Sequence, residues 1–175
     1  MTKTSRLARA ALAAATLCIA GNAFAEGTWT PELGFGSSTG KHVLFSDGTR
    51  HNDLAFNAAF GYELDSGLGA RAMAIGDFNL VREFTISDDR AFDNFIGVEV
   101  TDKIPLNNWL NVRGGVGVGR SNLINDQVGN KLVVDGALSL GLQWRPGPHY
   151  AMEVRVDHLT TSGTTVTSLL FQVPF

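Results

Sequence analysis

The residues best suited to chemistry in this sequence are a histidine and a threonine two positions apart, His158 and Thr160. They end a segment, residues 149–161, in which alternate residues are apolar, so both side chains lie on one face of a predicted strand. An imidazole can take a proton from a hydroxyl nucleophile, but a third group, commonly a carboxylate, must orient the imidazole. No acidic residue occurs in residues 159–175, and Asp157 has the opposite parity. The pair therefore lacks its orienting group.

Two other patterns resemble cofactor or metal sites only in part. Residues 114–119, Gly-Gly-Val-Gly-Val-Gly, lack the following helix and the acidic partner of a nucleotide-binding loop. The inward glycines would instead make room for large interior side chains such as arginine. His42 and His51 share a predicted loop, but no cysteine and no third ligand accompany them. We predict no cofactor and no metal, and the absence of a basic block predicts no nucleic-acid partner.

Charged residues recur on one parity of the alternating segments, opposite the apolar residues. This predicted inward set is Glu32, Glu63, Arg71, Asp77, Glu99, Arg113, Asp135, Glu153, Arg155 and Asp157. Buried charges must pair, and three arginines among several carboxylates satisfy that need. We therefore predict an interior ionic network built from Glu63, Arg71, Glu99, Arg113, Asp135, Glu153 and Arg155.

Eight alternating segments position these residues. They cover residues 28–38, 53–64, 68–80, 92–104, 109–121, 130–145, 149–161 and 164–175. Short turns at 65–67, 105–108 and 146–148 alternate with longer polar loops at 39–52, 81–91 and 122–129, and the last connection, 162–163, is brief. This pattern predicts an all-β fold, an eight-stranded antiparallel transmembrane β-barrel with its short turns in the periplasm. The alternative is a soluble periplasmic β-sandwich.

Large aromatic residues gather at one end of the predicted barrel. This set is Trp29, Tyr62, Trp109, Trp144, Tyr150 and Phe175. Trp and Tyr favour the membrane–water interface, so we interpret the set as a membrane-interface girdle. Trp109 has the inward parity and fits the girdle only if its turn interrupts the alternation.

The first 25 residues have the features of a secretory signal peptide. Lys3, Arg6 and Arg9 precede an apolar run, and Ala23-Phe24-Ala25 suits cleavage before Glu26. We predict that residues 1–25 are removed and that residues 26–175 form the barrel. Removing three basic residues leaves 14 − 3 = 11 Lys and Arg against 17 Asp and Glu, a net charge of −6.

Four segments resemble small outer-membrane barrels of the outer-membrane protein A and X type. They are Phe60-Gly61-Tyr62-Glu63-Leu64, Val100–Leu106, Leu138–Trp144 and the strand that ends at Phe175. The resemblance implies a multi-pass barrel in the outer membrane of a Gram-negative bacterium, in contact with membrane lipid and lipopolysaccharide. It also implies assembly by the barrel-assembly machinery through the C-terminal strand. We expect no C-terminal periplasmic domain, and hence no peptidoglycan binding.

A second, local resemblance concerns residues 154–160 and 171–175, which are similar to the C-terminal hairpin of lipid A 3-O-deacylases. In that comparison His158 matches the catalytic histidine, Thr160 stands where the serine would be, and the closing-strand glutamate is absent. Three functions therefore remain open. They are a plugged barrel with a structural or surface-interaction role through loops 39–52 and 81–91, a lipid A hydrolase using His158, and a narrow porin-like channel. We favour the first and expect no catalytic activity.

Overall fold

The computed structural model describes residues 27–41, 50–77, 92–123 and 130–175. The predicted signal peptide, His42 and the whole predicted loop 81–91 lie outside these ranges, as do the side chains of His51 and Asp77. Within the described ranges no helix is long and apolar enough to cross a bilayer.

Eight antiparallel strands account for nearly all of the described residues. They are β1 (Gly27–Lys41), β2 (Arg50–Leu64), β3 (Gly69–Asp77), β4 (Asn94–Pro105), β5 (Leu110–Leu123), β6 (Lys131–Trp144), β7 (Ala151–Leu159) and β8 (Thr164–Gln172). Each strand pairs with the next, and β8 pairs with β1, so the sheet closes into a barrel. The predicted fold class is confirmed, and the β-sandwich is excluded.

The register around the barrel sets the tilt of the strands. Directly paired residues run Trp29, Tyr62, Ala70, Val100, Val116, Leu138, His158, Thr165 and Thr39. The path returns to β1 ten residues further along (39 − 29 = 10), which is the shear number. Eight strands with this shear tilt by about 40°. Each step to the next strand then rises about 3 Å along the barrel axis, and each residue along a strand about 2.5 Å.

The two ends of the barrel differ in their connections. The turn end carries the short connections 65–68, 106–109 and 145–150, together with Gly27 and Phe175. The loop end carries the 160–163 turn and the three longer connections. Two glycines with positive φ shape these turns, Gly67 (φ 95°) at the turn end and Gly163 (φ 68°) at the loop end. Both lie in the left-handed region that favours glycine.

Three strands, β1, β2 and β5, extend further at the loop end than the sequence predicted. Lys41 pairs with Arg50, so the predicted loop 39–52 shortens to residues 42–49. Likewise β5 continues to Leu123 and shortens the loop predicted at 122–129. Backbone pairing extends the strands because each added residue pair satisfies further N–H and C=O groups, even where the side chains are polar.

The interior has two layers. Charged and amide side chains occupy the half near the turn end, and they face inward as the parity of the charges predicted. The half near the loop end contains an apolar cluster that the sequence analysis did not predict. Its buried members are Ala55, Met73, Ile75, Phe92, Phe95, Leu123, Ala137, Leu159 and Val166. The interior is therefore divided between two kinds of packing.

Candidate functional sites inside the barrel and on its wall

Glu32 is the centre of the charged layer, and its side chain is 2% exposed. Arg71 Nη1 lies 3.2 Å from Oε2 of Glu32, Arg113 Nη1 lies 2.8 Å from Oε1, and Arg155 Nη1 lies 3.1 Å from Oε2. The three arginines come from β3, β5 and β7, so one carboxylate on β1 links four strands across the barrel. Charged donors make such hydrogen bonds short and strong.

Each arginine also has a second carboxylate partner. Arg71 Nε donates to Glu99 Oε2 at 2.5 Å, and Arg155 Nε donates to Asp157 Oδ2 at 3.0 Å. Arg113 donates to Glu153 Oε2 at 3.2 Å and to Glu63 Oε2 at 2.8 Å, and Lys103 bonds the other oxygen of Glu63. The described network thus joins five carboxylates to four cations. The carboxylates are Glu32, Glu63, Glu99, Glu153 and Asp157, and the cations are Arg71, Lys103, Arg113 and Arg155.

A chain of amides extends this network toward the turn end. Gln172 Nε2 donates to Glu153 Oε2 at 2.6 Å, and Gln143 Nε2 donates to Gln172 Oε1 at 2.6 Å. Asn111 Nδ2 in turn donates to Gln143 Oε1 at 3.0 Å. These side chains come from β5, β6, β7 and β8, so polar contacts continue around the barrel where charges are fewer.

The structure separates Asp135 from the network to which the sequence assigned it. Asp135 is buried and accepts hydrogen bonds from Ser121 Oγ (2.8 Å) and from the backbone N–H groups of Thr161 (2.6 Å) and Ser162 (3.1 Å). No basic side chain in the described residues pairs with it. Register explains the error, because the tilt places Asp135 about 15 Å above Glu32 along the barrel axis. Parity gives the inward face of a residue but not its height.

The remaining predicted members, Glu63, Arg71, Glu99, Arg113, Glu153 and Arg155, lie in one connected network. Sequence reasoning missed Lys103 and did not single out Glu32 within the inward set. Lys103 shares the parity of Glu99 and Thr101, so strand alternation contained the signal. The central position of Glu32 had no such signal, because it depends on contacts across four strands.

The inward glycines make room for large interior side chains. A Cβ on Gly115 would lie 2.3 Å from Glu99 Oε1, and a Cβ on Gly119 would lie 2.6 Å from the Phe95 ring. On β6, a Cβ on Gly141 would lie 2.2 Å from Glu153 Oε1. At these three positions the room predicted for large interior side chains is therefore occupied by glutamates and a phenylalanine.

The six predicted girdle residues all lie at the turn end, with their side chains wholly or partly exposed. The Trp29 ring stacks 5.2 Å from the Phe60 ring and lies 4.7 Å from the Tyr62 ring. Trp29 and Phe175 exchange two backbone hydrogen bonds, 3.0 and 2.9 Å long. Trp109 lies in the 106–109 turn before β5, where the alternation is interrupted. That these aromatic residues mark a membrane interface stays a prediction.

His158 faces outward near the loop end, and its hydrogen-bond partner is not Thr160. Its Nδ1 lies 3.0 Å from Oγ1 of Thr165 on β8. Thr160 lies over Gly136, with its backbone N–H donating to the Gly136 carbonyl at 2.9 Å. Within the described residues no carboxylate bonds the imidazole, and no group of three or more His, Cys, Asp or Glu residues is arranged to hold a metal ion.

Solved structures with the same architecture are small outer-membrane β-barrels. The surface protein NspA of Neisseria matches with a TM-score of 0.64 at 11% identity, over 86% of this chain and 100% of that one. The N-terminal barrel of Pseudomonas aeruginosa OprF matches with a TM-score of 0.56 at 12% identity, over 85% and 97%. Ail of Yersinia pestis, in complex with the heparin analogue sucrose octasulfate, matches with a TM-score of 0.51 at 18% identity, over 86% and 99%.

No protein-family model matches the chain. No curated protein matches it either. The structural matches therefore establish the fold, which is that of the small eight-stranded outer-membrane barrels, as the resemblance implied.

The wall of the barrel agrees with a membrane location. Large apolar side chains are exposed on every strand except β3, whose outward residues are alanine and glycine, and the charged network lies inside. A soluble protein rarely exposes an apolar surface of this extent, whereas lipid solvates it. The protein therefore has the fold and the apolar outer wall of an outer-membrane β-barrel.

Proposed function

We propose that this protein is a closed outer-membrane barrel with a structural and surface-interaction role, and that it does not act as a channel. The observation that carries the proposal is the two-layer interior. An eight-stranded barrel is just wide enough for side chains to fill it. Here the charged layer and the apolar layer fill it by different means.

The charged layer resists opening because its members share partners. Moving Arg113 would remove one of three cation contacts from Glu32 and one of two from Glu63. It would also remove the one ion pair that Glu153 makes within the described residues. Removing one partner from a buried ion pair costs about 3–5 kcal/mol. A continuous water path through this layer therefore requires several side chains to move together.

The apolar layer blocks the loop-end half. Phe92, Phe95 and Leu123 are at most 2% exposed, and they pack with Met73 and Ile75. Ions do not cross such a constriction readily, because their water of hydration has no polar replacement there. Both layers would have to open before the barrel could conduct.

A closed interior leaves the outer surfaces to carry function. We assign the surface-interaction role to the loops of the loop end, including residues 42–49 and 81–91, and to contact with lipopolysaccharide. The similar proteins support this assignment, since NspA is named a surface protein and Ail an attachment protein that was solved with a sulfated sugar. Assembly through the C-terminal strand by the barrel-assembly machinery belongs to the same proposal.

Planar-bilayer recording tests the closed interior. Wild-type protein should produce no discrete conductance, whereas Phe95→Ala combined with Arg113→Ala should produce steps. A fully conducting wild-type protein would overturn the proposal. The matched control is Leu140→Ala on the outer wall, which should remain silent.

A lipid A hydrolase is the second candidate, and the His158–Thr165 hydrogen bond favours it. An imidazole 3.0 Å from a hydroxyl is a base–nucleophile geometry, although the hydroxyl is that of Thr165 and not of Thr160. Mass spectrometry of lipid A from cells with the gene, without it, and with His158→Ala decides the matter. Unchanged acylation in all three removes this candidate.

A further inference from the structure

Polar side chains form a continuous facet on the lipid-facing wall near the loop end. This polar facet consists of Ser37 and Thr39 on β1, His158 and Thr160 on β7, and Thr165 and Thr167 on β8. Strand register makes it continuous, because Ser37 pairs with Thr167, and Thr39 and His158 both pair with Thr165. All six side chains have the outward parity.

The lower members of the facet lie below the height that the apolar wall reaches on β2 and β6. Relative to Trp29, Thr167 and His158 rise about 17–19 Å along the barrel axis, within the ~25 Å apolar band expected of such barrels. On β6, Val134 is still apolar at about 26 Å, and on β2 Leu54 is apolar at about 23 Å. The apolar wall is therefore several ångströms shorter on β7, β8 and β1.

Hydrogen-bonding capacity remains directed away from the protein at this facet. His158 is exposed, and its Nδ1 is used by Thr165. In a neutral imidazole one ring nitrogen donates and the other accepts, so Nε2 retains a donor or an acceptor for a lipid-side partner. An ionisable side chain facing lipid is costly unless it finds such a partner.

The side chain of Arg120 provides a cation near the facet. Arg120 on β5 has the outward parity and is exposed, and it rises about 22 Å above Trp29. It lies two strands from His158 and four residues beyond Val116, the β5 residue in line with His158, so the two backbones are about 16 Å apart. On the intervening strand Val134 pairs with Arg120, and Gly136, which pairs with Val118 and has no side chain, lies beside Thr160. The backbones of Arg120 and Thr160 are therefore about 12 Å apart.

We propose that the polar facet, together with Arg120, binds one phosphorylated glycolipid of the outer leaflet. With the short turns in the periplasm, as the sequence predicts, the loop end faces the cell exterior, so its lipid neighbours are those of the outer leaflet. The hydroxyls and the imidazole match the ester and amide carbonyls and the sugar hydroxyls of such a lipid, and the guanidinium matches its phosphate. The inference rests on the proposed contact with lipopolysaccharide and places that contact on the barrel wall.

The experiment compares stability in vesicles of different composition. Refolded protein is placed in phosphatidylethanolamine–phosphatidylglycerol vesicles, alone or with added lipopolysaccharide, intact or dephosphorylated. The midpoint of heat-induced loss of the fast-migrating folded gel band is then measured. Wild-type protein should gain about 5 °C or more from intact lipopolysaccharide, because a ligand that binds only the folded state stabilises it.

The variant His158→Phe/Thr165→Val/Thr167→Val should lose that gain while folding normally in phospholipid alone. Arg120→Gln should gain less stability than the wild-type protein from intact lipopolysaccharide. It should gain equally from the intact and the dephosphorylated form. The matched control, Ala74→Ser/Val98→Thr on β3 and β4, alters wall polarity on the far side and should keep the full gain.

A triple variant that keeps the full gain, or a wild-type protein with no gain, overturns the proposal. A gain that depends on the protein-to-lipid ratio would indicate a second copy of the chain on the facet and also overturns it. Should the triple variant fail to fold, native mass spectrometry of retained lipopolysaccharide on Thr165→Val replaces it, with unchanged retention as the contrary result. The facet variants should produce no conductance in planar bilayers, whether or not they bind lipopolysaccharide. This recording therefore tests the closed-barrel proposal separately from the lipid-binding proposal.

Discussion

The two halves of the barrel interior are packed with different kinds of side chain. Both must pack side chains into a narrow cylinder. The half near the turn end does so with charges that share partners, centred on Glu32. The half near the loop end does so with apolar packing around Phe95.

The difference shows what each kind of packing requires. A charged layer depends on particular pairings, so the loss of one member leaves others uncompensated. An apolar layer depends on volume, so the cost of a change follows the size of the cavity it creates. Four substitutions test this contrast, in order of decreasing expected effect.

Glu32→Ala should have the largest effect, lowering the free energy of unfolding by about 3–5 kcal/mol, because three buried arginines lose their common carboxylate. Urea unfolding in phospholipid vesicles, followed by tryptophan fluorescence, measures it. Leu33→Ala, the outward neighbour on β1, serves as the control and should cost less. An equal or smaller loss for Glu32→Ala would mean that the network does not depend on its centre.

Phe95→Ala should cost about 3 kcal/mol in the same assay, because it leaves a cavity in the apolar layer. Phe95→Leu should recover most of the loss, since it conserves apolar volume. Recovery by leucine distinguishes this layer from the charged one, where Glu32→Gln retains the shape but should recover little. If Phe95→Leu did not recover stability, the apolar layer would not depend mainly on packed volume, and its contrast with the charged layer would be contradicted.

Asp135→Ala should cost about 1–3 kcal/mol, because it leaves Ser121 and the N–H groups of Thr161 and Ser162 without their acceptor. Hydrogen exchange should show faster exchange at the 160–163 turn and unchanged exchange in β3. Asp135→Asn, which keeps an acceptor oxygen, should lose less. Equal losses for the two variants would count against this account.

Lys103→Met should have the smallest effect, at most about 1 kcal/mol, because its partner Glu63 is partly exposed and also bonded to Arg113. Added salt should reduce even this difference, whereas the loss in Glu32→Ala should change little, because buried pairs are screened less. Unfolding curves at low and high ionic strength measure both. A loss of stability in Lys103→Met that does not change with salt would mean that the Lys103–Glu63 pair behaves like the buried ion pairs.

Some features of the fold could be predicted from particular residues of the sequence. The alternation in residues 149–161 placed Glu153, Arg155 and Asp157 inside and Val154 and Val156 outside, and the structure agrees. The condition set for Trp109, that its turn interrupts the alternation, is also met. Met73 and Ile75 share the inward parity of Arg71, yet the apolar layer they form was not predicted. Their parity was visible, but their neighbours on other strands were not.

The sequence by itself determined which face of each strand meets lipid and which meets the interior, because side chains alternate with a period of two residues along a strand. Tertiary structure decided which inward residues meet, since contacts across the barrel depend on register, and a shear of ten offsets equivalent positions by several ångströms per strand. Register made Glu32 the partner of three arginines and placed Asp135 in another layer. It also brought His158 to Thr165 and joined hydroxyls from β1, β7 and β8 into one facet.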